Sequence, residues 1–354
     1  MYRIVEIGSE FYTNSSTSGQ NKYFELSNYP KRFVLSGRTG LYLIADELKI
    51  KTKISNILMP DYCCGSMIAP FILHGFTISF YNSFDLENVI INETAQAVLI
   101  MDYFGFISEQ TLKFTIKCKR AGKIIIIDAT QTAFSHSKTY DLSDYIVASY
   151  RKWGDSLCAI VYSKNGFSSI EEGKEPQCYC TVWRTAAELK ERYLKNSLGN
   201  KQEFLSLYAK ANHILDENYV GYKANHKEIS ALSQIDSSFV RKKRKNNACY
   251  LIKEIKKMSI YFEVQLLFDN VKERDCPLFV PILVNENKRN VIRSILTKNN
   301  IYCPVHWPID ERYPYKKTLY HKKELSLICD QRYGIKEMRQ QVLILSQALL
   351  ATDN

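Results

Sequence analysis

Between Lys123 and Thr130 the chain reads Lys-Ile-Ile-Ile-Ile-Asp-Ala-Thr, four isoleucines closed by a carboxylate. Four β-branched side chains in succession, without polar alternation, predict a strand covered on both faces, as strands of a parallel sheet are. Similar apolar runs recur at Ile57–Met59, Thr77–Tyr81, Ala97–Met101, Tyr145–Ala148 and Cys158–Tyr162. Helix-period stretches separate or precede them, at Thr39–Leu48, Gly65–Leu73 and Glu109–Ala121. In the first of these, Leu41, Ile44 and Leu48 form one apolar stripe. The alternation predicts an α/β fold with a mostly parallel central sheet covered by helices.

Helical patterning continues over Arg184–Tyr219 and Ser237–Met258. Beyond it, Pro277–Val284 and Ile301–Val305 read as strands, and Asn287–Asn299 and Gly334–Leu350 as helices. That mixture predicts a smaller α+β C-terminal domain. We therefore expect a large domain over 1–240, with an N-terminal segment over 1–30, and a small domain over 241–354. At 354 residues and 45% hydrophobic content the chain can bury two such cores.

The formal charge of +11 favours anionic partners such as phosphates and nucleotides. Its densest cluster, Arg241-Lys-Lys-Arg-Lys245, lies inside a helical pattern and reads as a solvated helix face, with no nucleic-acid-binding motif beside it. Ten cysteines are scattered without a Cys-x-x-Cys, and the six histidines are widely separated, so neither a disulfide framework nor a metal site is expected. The longest aliphatic run, Ile124–Ile127, is far too short to span a bilayer, and the opening Met-Tyr-Arg-Ile-Val-Glu lacks a sustained apolar core. The expectation is a cytoplasmic chain with reduced cysteines, no nucleic-acid partner and no membrane partner.

Asp128 falls at the C-terminal end of its predicted strand, where open α/β sheets bind ligands. Behind four isoleucines it would be costly to ionise without a cationic partner. Lys152 follows the next predicted strand, in Ser149-Tyr-Arg-Lys152. A carboxylate that keeps a pyridine nitrogen protonated, and a lysine that forms a Schiff base with an aldehyde, are what a pyridoxal phosphate (PLP) site requires. Ser36-Gly37-Arg38-Thr39-Gly40, just ahead of the first amphipathic helix, offers an anion cradle: close backbone approach, free N–H groups, two hydroxyls and a guanidinium. Taken singly these are a turn aspartate, a surface lysine and a helix cap; their combination points to PLP. The chain contains no Walker loop and no Gly-x-Gly-x-x-Gly.

In the order and spacing of these residues the chain resembles the sugar aminotransferases of the DegT/StrS type, within the aspartate-aminotransferase-like (fold type I) PLP-dependent enzymes. Ser36–Leu41 is similar to the family's phosphate-binding helix start, Met59-Pro-Asp-Tyr-Cys63 to its proline-led strand end, and Ile127-Asp-Ala-Thr-Gln131 to its Asp-x-x-Gln/His element. Ser149–Lys152 resembles its serine and Schiff-base lysine, and Val305-His-Trp-Pro308 and Leu327–Tyr333 resemble small-domain segments. The resemblance implies a PLP-dependent transferase fold of type I with Lys152 and Asp128 catalytic. It implies that Ser36, Gly37, Arg38, Thr39, Gln131 and Ser149 surround the cofactor, with Cys64 or Tyr62 on its ring, and that Tyr103, Lys223 and His306 stand near the substrate. Gly221–Ile229 is similar to a segment reaching the neighbouring subunit's site, which implies a homodimer in which Asn225 touches the partner's cofactor phosphate.

The implied reaction moves an amino group, with glutamate as donor, to a nucleotide-linked keto-sugar for a cell-surface polysaccharide or glycosylated metabolite. Three differences from the family pattern stand out. The serine-to-lysine spacing is three where many members have five, Gly154-Asp-Ser-Leu157 replaces Gly-Asp-Gly-Gly, and Asp102 stands where histidine is common. Another fold type I reaction on amino acids and a non-catalytic nucleotide-sugar-binding relative remain open alternatives.

Overall fold

A computed structural model of the chain describes residues 6–13, 25–168, 173–313 and 318–353. Its strands are β1 (Ile7–Gly8), β2 (Lys31–Val34), β3 (Asn56–Pro60), β4 (Thr77–Tyr81), β5 (Ala97–Ile100), β6 (Ile124–Asp128), β7 (Tyr145–Ser149), β8 (Ala159–Ser163), β9 (Val264–Leu266), β10 (Phe279–Val284), β11 (Ile301–Tyr302) and β12 (Glu324–Ile328). Its helices are α1 (Gly37–Thr52), α2 (Gly65–Leu73), α3 (Glu109–Arg120), α4 (Gln177–Asn196), α5 (Lys201–Glu217), α6 (His226–Ser233), α7 (Ser237–Met258), α8 (Arg289–Lys298), α9 (Leu319–Lys323) and α10 (Ile335–Asp353).

Seven strands form the central sheet in the order β2-β8-β7-β6-β5-β3-β4. From β7 to β4 every pairing is parallel, whereas β8 runs antiparallel to β7 and β2 antiparallel to β8. The isoleucine run is the middle strand β6. Ile126 feeds one core cluster and Ile125 and Ile127 feed the other, which is why this strand carries no polar alternation. α1 turns Leu41, Ile44 and Leu48 into the first of these cores. Gly40 lets it lie close to the sheet: a Cβ there would come 2.6 Å from Val147 Cγ2 and 2.9 Å from Val161 Cγ2.

A three-stranded antiparallel sheet, β12-β10-β9, forms the smaller layer, and β1 pairs in parallel with β11. The architecture is thus the expected α/β fold with a small α+β part near the C-terminus. Several expectations need correction. The helical stretch over Arg184–Tyr219 is two helices, parted where Ser197 and Gly199 take positive φ of 54° and 93°. The strand expected over Ile301–Val305 is confined to β11.

The 241–245 cluster is a solvated face only in part: Lys242 is exposed and Arg241, Lys243 and Lys245 are half-buried, but Arg244 is enclosed. Arg244 is buried, with its guanidinium 4.7 Å from the centre of the Trp153 ring, Nε donating to Gln331 Oε1 at 2.8 Å and Nη1 to Leu278 O at 2.9 Å. Arg241 donates to the carbonyls of Phe134 and Glu273, and Lys245 to that of Glu273. Periodicity showed a helix but not which of its cations the tertiary fold would enclose. All ten cysteines are free thiols, and no helix among the described residues is long and apolar enough to cross a membrane.

Candidate functional site

The carboxyl ends of β3, β6 and β7 and the amino end of α1 meet at one cavity of about 120 Å³. A larger cavity of about 340 Å³ shares Arg151, Lys152 and Trp307 as walls. Loops that follow parallel strands converge at such an edge, so residues distant in sequence become neighbours.

Asp128 closes β6 and is buried. Its Oδ1 accepts the Thr130 N–H at 2.8 Å. Burial raises its pKa above the usual carboxylate value, opposed by the Thr130 hydrogen bonds and by Lys152. Burial likewise holds Lys152 below the ordinary lysine value; Arg151 pushes the same way, while Cys64 and Asp128 act against it. A desolvated amine is therefore poised to lose its charge beside a carboxylate that would be stabilised by a cation.

Ser36 caps α1, its Oγ accepting from Thr39 N at 3.1 Å and lying 2.9 Å from Thr39 Oγ1. Gly37 and Arg38 follow it along the cavity wall, placing the positive end of the helix on the cavity. The Arg38 charge is partly engaged by Asp216 at 2.8 Å. Across from them Gln131 is buried with its Oε1 accepting from Phe104 N at 2.6 Å and its Nε2 left without a partner. An orphaned amide donor in a cavity wall calls for an acceptor on a ligand. Among the described residues no cluster of metal-ligating side chains is present.

The structure brings Ser36, Gly37, Arg38, Cys64, Asp128, Gln131, Ser149 and Lys152 onto the smaller cavity, and His306 onto the larger one beside Lys152. Thr39 stands behind Ser36 as its hydrogen-bond partner. Tyr62 does not line either cavity. It is buried in an aromatic cluster with Phe84, Tyr103 and Trp307, and its hydroxyl donates to His306 O. Of the pair expected on the ring, only Cys64 lines the cavity. Tyr103 also stays off the cavity, donating to Tyr62 O at 2.8 Å. Lys223 and Asn225 lie elsewhere: Ala224 N donates to Phe33 O beside β2, and Asn225 caps α6 by accepting from Glu228 N at 3.0 Å.

Sequence reasoning passed over Thr130, Arg151 and Trp307. Thr130 ties the loops carrying Asp128 and Lys152 together, its Oγ1 accepting from Ser149 N at 3.3 Å and its carbonyl from Trp153 Nε1 at 2.9 Å. All three sit inside segments already singled out, so proximity to Asp128, Lys152 and His306 was the available signal.

Compared with known proteins, the chain matches no family model and no curated sequence. Solved structures do match it. It is similar to PseC of Helicobacter pylori, an aminotransferase involved in pseudaminic acid biosynthesis, at 14% identity and a TM-score of 0.65 over 91% of this chain and 87% of that one. NtdA of Bacillus subtilis, solved with bound cofactor PMP, aligns at 14% identity with a TM-score of 0.63 over 90% and 73%. DesI, solved in the presence of its TDP-sugar product, aligns at 13% identity with a TM-score of 0.60 over 92% and 82%. The chain has the aminotransferase fold of type I. The expectation from the DegT/StrS-type resemblance therefore holds for the fold. In this fold type I chain the altered turn Gly154–Leu157 is held from outside: Leu157 N donates to Glu228 Oε2 at 2.8 Å, Ser156 Oγ to Glu228 O at 2.8 Å, and Arg184 grips the same carboxylate.

Proposed function

We propose that the chain is a PLP-dependent aminotransferase that moves an amino group from glutamate to a nucleotide-linked keto-sugar, in the making of a cell-surface polysaccharide or glycosylated metabolite. The observation that carries this reading is the joint placement of Asp128 and Lys152 on one cavity with the amino end of α1 and the unpartnered Gln131 amide. The donor set fits PLP: a buried carboxylate for the pyridine nitrogen, a desolvated lysine for the aldehyde, a helix start for the phosphate and an amide donor for a ring oxygen. PseC, involved in the biosynthesis of pseudoaminic acid, and DesI, solved in the presence of its TDP-sugar product, support a sugar substrate.

PLP, when bound, supplies an electron sink for the carbon that bears the amino group. Lys152, its pKa lowered chiefly by burial, is the amine that would hold the cofactor's aldehyde. The same amine, once freed, would serve as base and acid for the proton that leaves the donor's α-carbon. Asp128 holds the pyridine nitrogen protonated. Ser36, Gly37 and Thr39 present the N–H and hydroxyl groups that bind phosphate, and Arg38 adds charge. Ser149, at the end of β7, and Cys64 line the same cavity, where Cys64 would lie against the cofactor's ring. In this reading the protein is a cytoplasmic homodimer, and Asn225 and Lys223 complete the site of a second copy.

The test is the visible spectrum of the protein with PLP, beside Lys152→Ala. A band that is altered in the variant and shifts when glutamate is added supports the reading. A folded protein that shows no band refutes it. A band indifferent to glutamate keeps the cofactor and refutes the donor.

A further inference from the structure

His306 shares the larger cavity with Lys152, and the partners of its ring determine what it can offer a ligand. Its Nδ1 lies 3.0 Å from Ser326 Oγ, and Ser326 Oγ lies 2.5 Å from Glu324 Oε1. Glu324 Oε2 also accepts the His306 backbone N–H at 2.6 Å. A carboxylate only accepts hydrogen bonds, so the single proton of Ser326 goes to Glu324, leaving the serine only lone pairs for the imidazole. His306 must then carry its proton on Nδ1, which leaves Nε2 with a free lone pair. No hydrogen bond reaches Nε2 among the described residues.

The ring is also fixed in place. Phe104, Phe279 and Trp307 surround it with centroid separations of 5.3, 5.2 and 5.4 Å, and Ser326 and Glu324 are buried on β12. Burial lowers the imidazole pKa, opposed by Glu324 and reinforced by Lys152, which favours the neutral ring.

We infer that His306 presents Nε2 to the substrate as a fixed hydrogen-bond acceptor for a hydroxyl of the keto-sugar, with Ser326 and Glu324 as its positioning residues. This rests on the aminotransferase reading above. A ketone oxygen has no proton to give and cannot be held by such a group, whereas a neighbouring hydroxyl can. His306 therefore sorts the two kinds of oxygen and leaves the carbonyl carbon free for amination. A small keto-acid such as 2-oxoglutarate has no hydroxyl and gains nothing from it.

The experiment uses full-length, PLP-loaded protein carrying ¹⁵N-labelled histidine, with His306 assigned by its absence from His306→Phe. Long-range ¹H–¹⁵N spectra are expected to show Nδ1 protonated and Nε2 bare, and a mixture of tautomers in Ser326→Ala. An Nε2–H tautomer or a doubly protonated ring in the wild type overturns the proposal, and that measurement needs no variant to fold. The second readout compares KM for UDP- and dTDP-linked keto-hexoses with KM for 2-oxoglutarate. In Ser326→Ala the first is expected to rise at least about tenfold more than the second, as when a site built for a hydrogen bond loses it. A parallel rise in both marks the relay as merely structural and overturns its role. An Nδ1–H tautomer in a protein that aminates no keto-hexose overturns the sugar aminotransferase reading instead, and with it the hydroxyl assigned to Nε2.

Discussion

Asp128 and Lys152 are displaced from their ordinary pKa values in opposite senses by one cause, burial, and each eases the other's displacement. Replacing Asp128 with Asn keeps the shape and an acceptor for Thr130 N but removes the charge that would protonate the pyridine. We expect Asp128→Asn to bind PLP and to lose at least about a hundredfold in glutamate-driven turnover, measured by single-turnover absorbance. Retained turnover would show that the ring nitrogen needs no anion. Asp102 makes a different prediction. It is buried at the end of β5, accepts from Ser108 N at 3.1 Å, and burial pushes its pKa up to about 7. Between about pH 4 and 7 the folded chain holds a proton that the unfolded chain has released, so stability falls as pH climbs through that window. Asp102→Asn should therefore raise stability by about 1–3 kcal/mol near pH 8 and by little near pH 4, read from urea unfolding at both. Equal effects at both values would show that this carboxylate is not protonated in the fold. Asp128 and Lys152 were legible in the sequence because strand, turn and functional residue are contiguous. The burial of Tyr62 and Tyr103 was not, since the aromatic cluster around them draws on Phe84 and Trp307 from distant segments.

At the scale of elements, the site depends on how closely α1 approaches the sheet. Gly40 allows that approach, and its added methyl would meet two branched side chains on neighbouring strands. Gly40→Ala, though favourable to an isolated helix, should destabilise the protein by about 1–3 kcal/mol through overpacking and weaken PLP binding by tilting the Ser36–Thr39 cap. Unfolding midpoints and PLP titration check both halves, and a stabilised variant would contradict the packing argument. The turn after Lys152 shows the same dependence on remote support. Glu228 on α6 accepts from Leu157 N, while Arg184 on α4 neutralises it. Glu228→Gln should cost about 1–3 kcal/mol, an amount reduced from that of a fully enclosed pair because Arg184 is partly exposed. The sequence shows Ser156 and Leu157 in this turn but not what supports them, because the support lies on two later helices. Strand and helix types, by contrast, followed from periodicity for α1, α2, α3 and the five parallel strands. The antiparallel course of β8 was not legible, since a short buried run looks the same in either direction, and β2 was not expected at all because Lys31 and Arg32 interrupt the apolar pattern.

For the whole molecule, the segment carrying Asn225 does not reach its own chain's cavity, and this bears on assembly. In this chain the segment pairs beside β2 through Ala224 N and Phe33 O, and Asn225 lines a groove with Gln177, Arg184 and Glu228. A second copy can therefore use Asn225 only if two chains share their sites across an isologous interface. Shared sites make complementation the decisive measurement. Lys152→Ala lacks the lysine in its own site, and Asn225→Gly lacks the phosphate contact proposed for it in a partner's site; glycine at the cap costs α6 only about a few tenths of a kcal/mol. Each homodimer should respond poorly to glutamate at limiting PLP. After the two are unfolded and refolded together, about half the dimers are mixed, and each mixed dimer carries one site with both residues intact, so about a quarter of the wild-type response should return. If each chain builds its site alone, the mixture would stay at the mean of the two variants. The failure to recover would then remove Asn225 from the cofactor's phosphate and leave Ser36, Gly37, Arg38 and Thr39 as its only anchors.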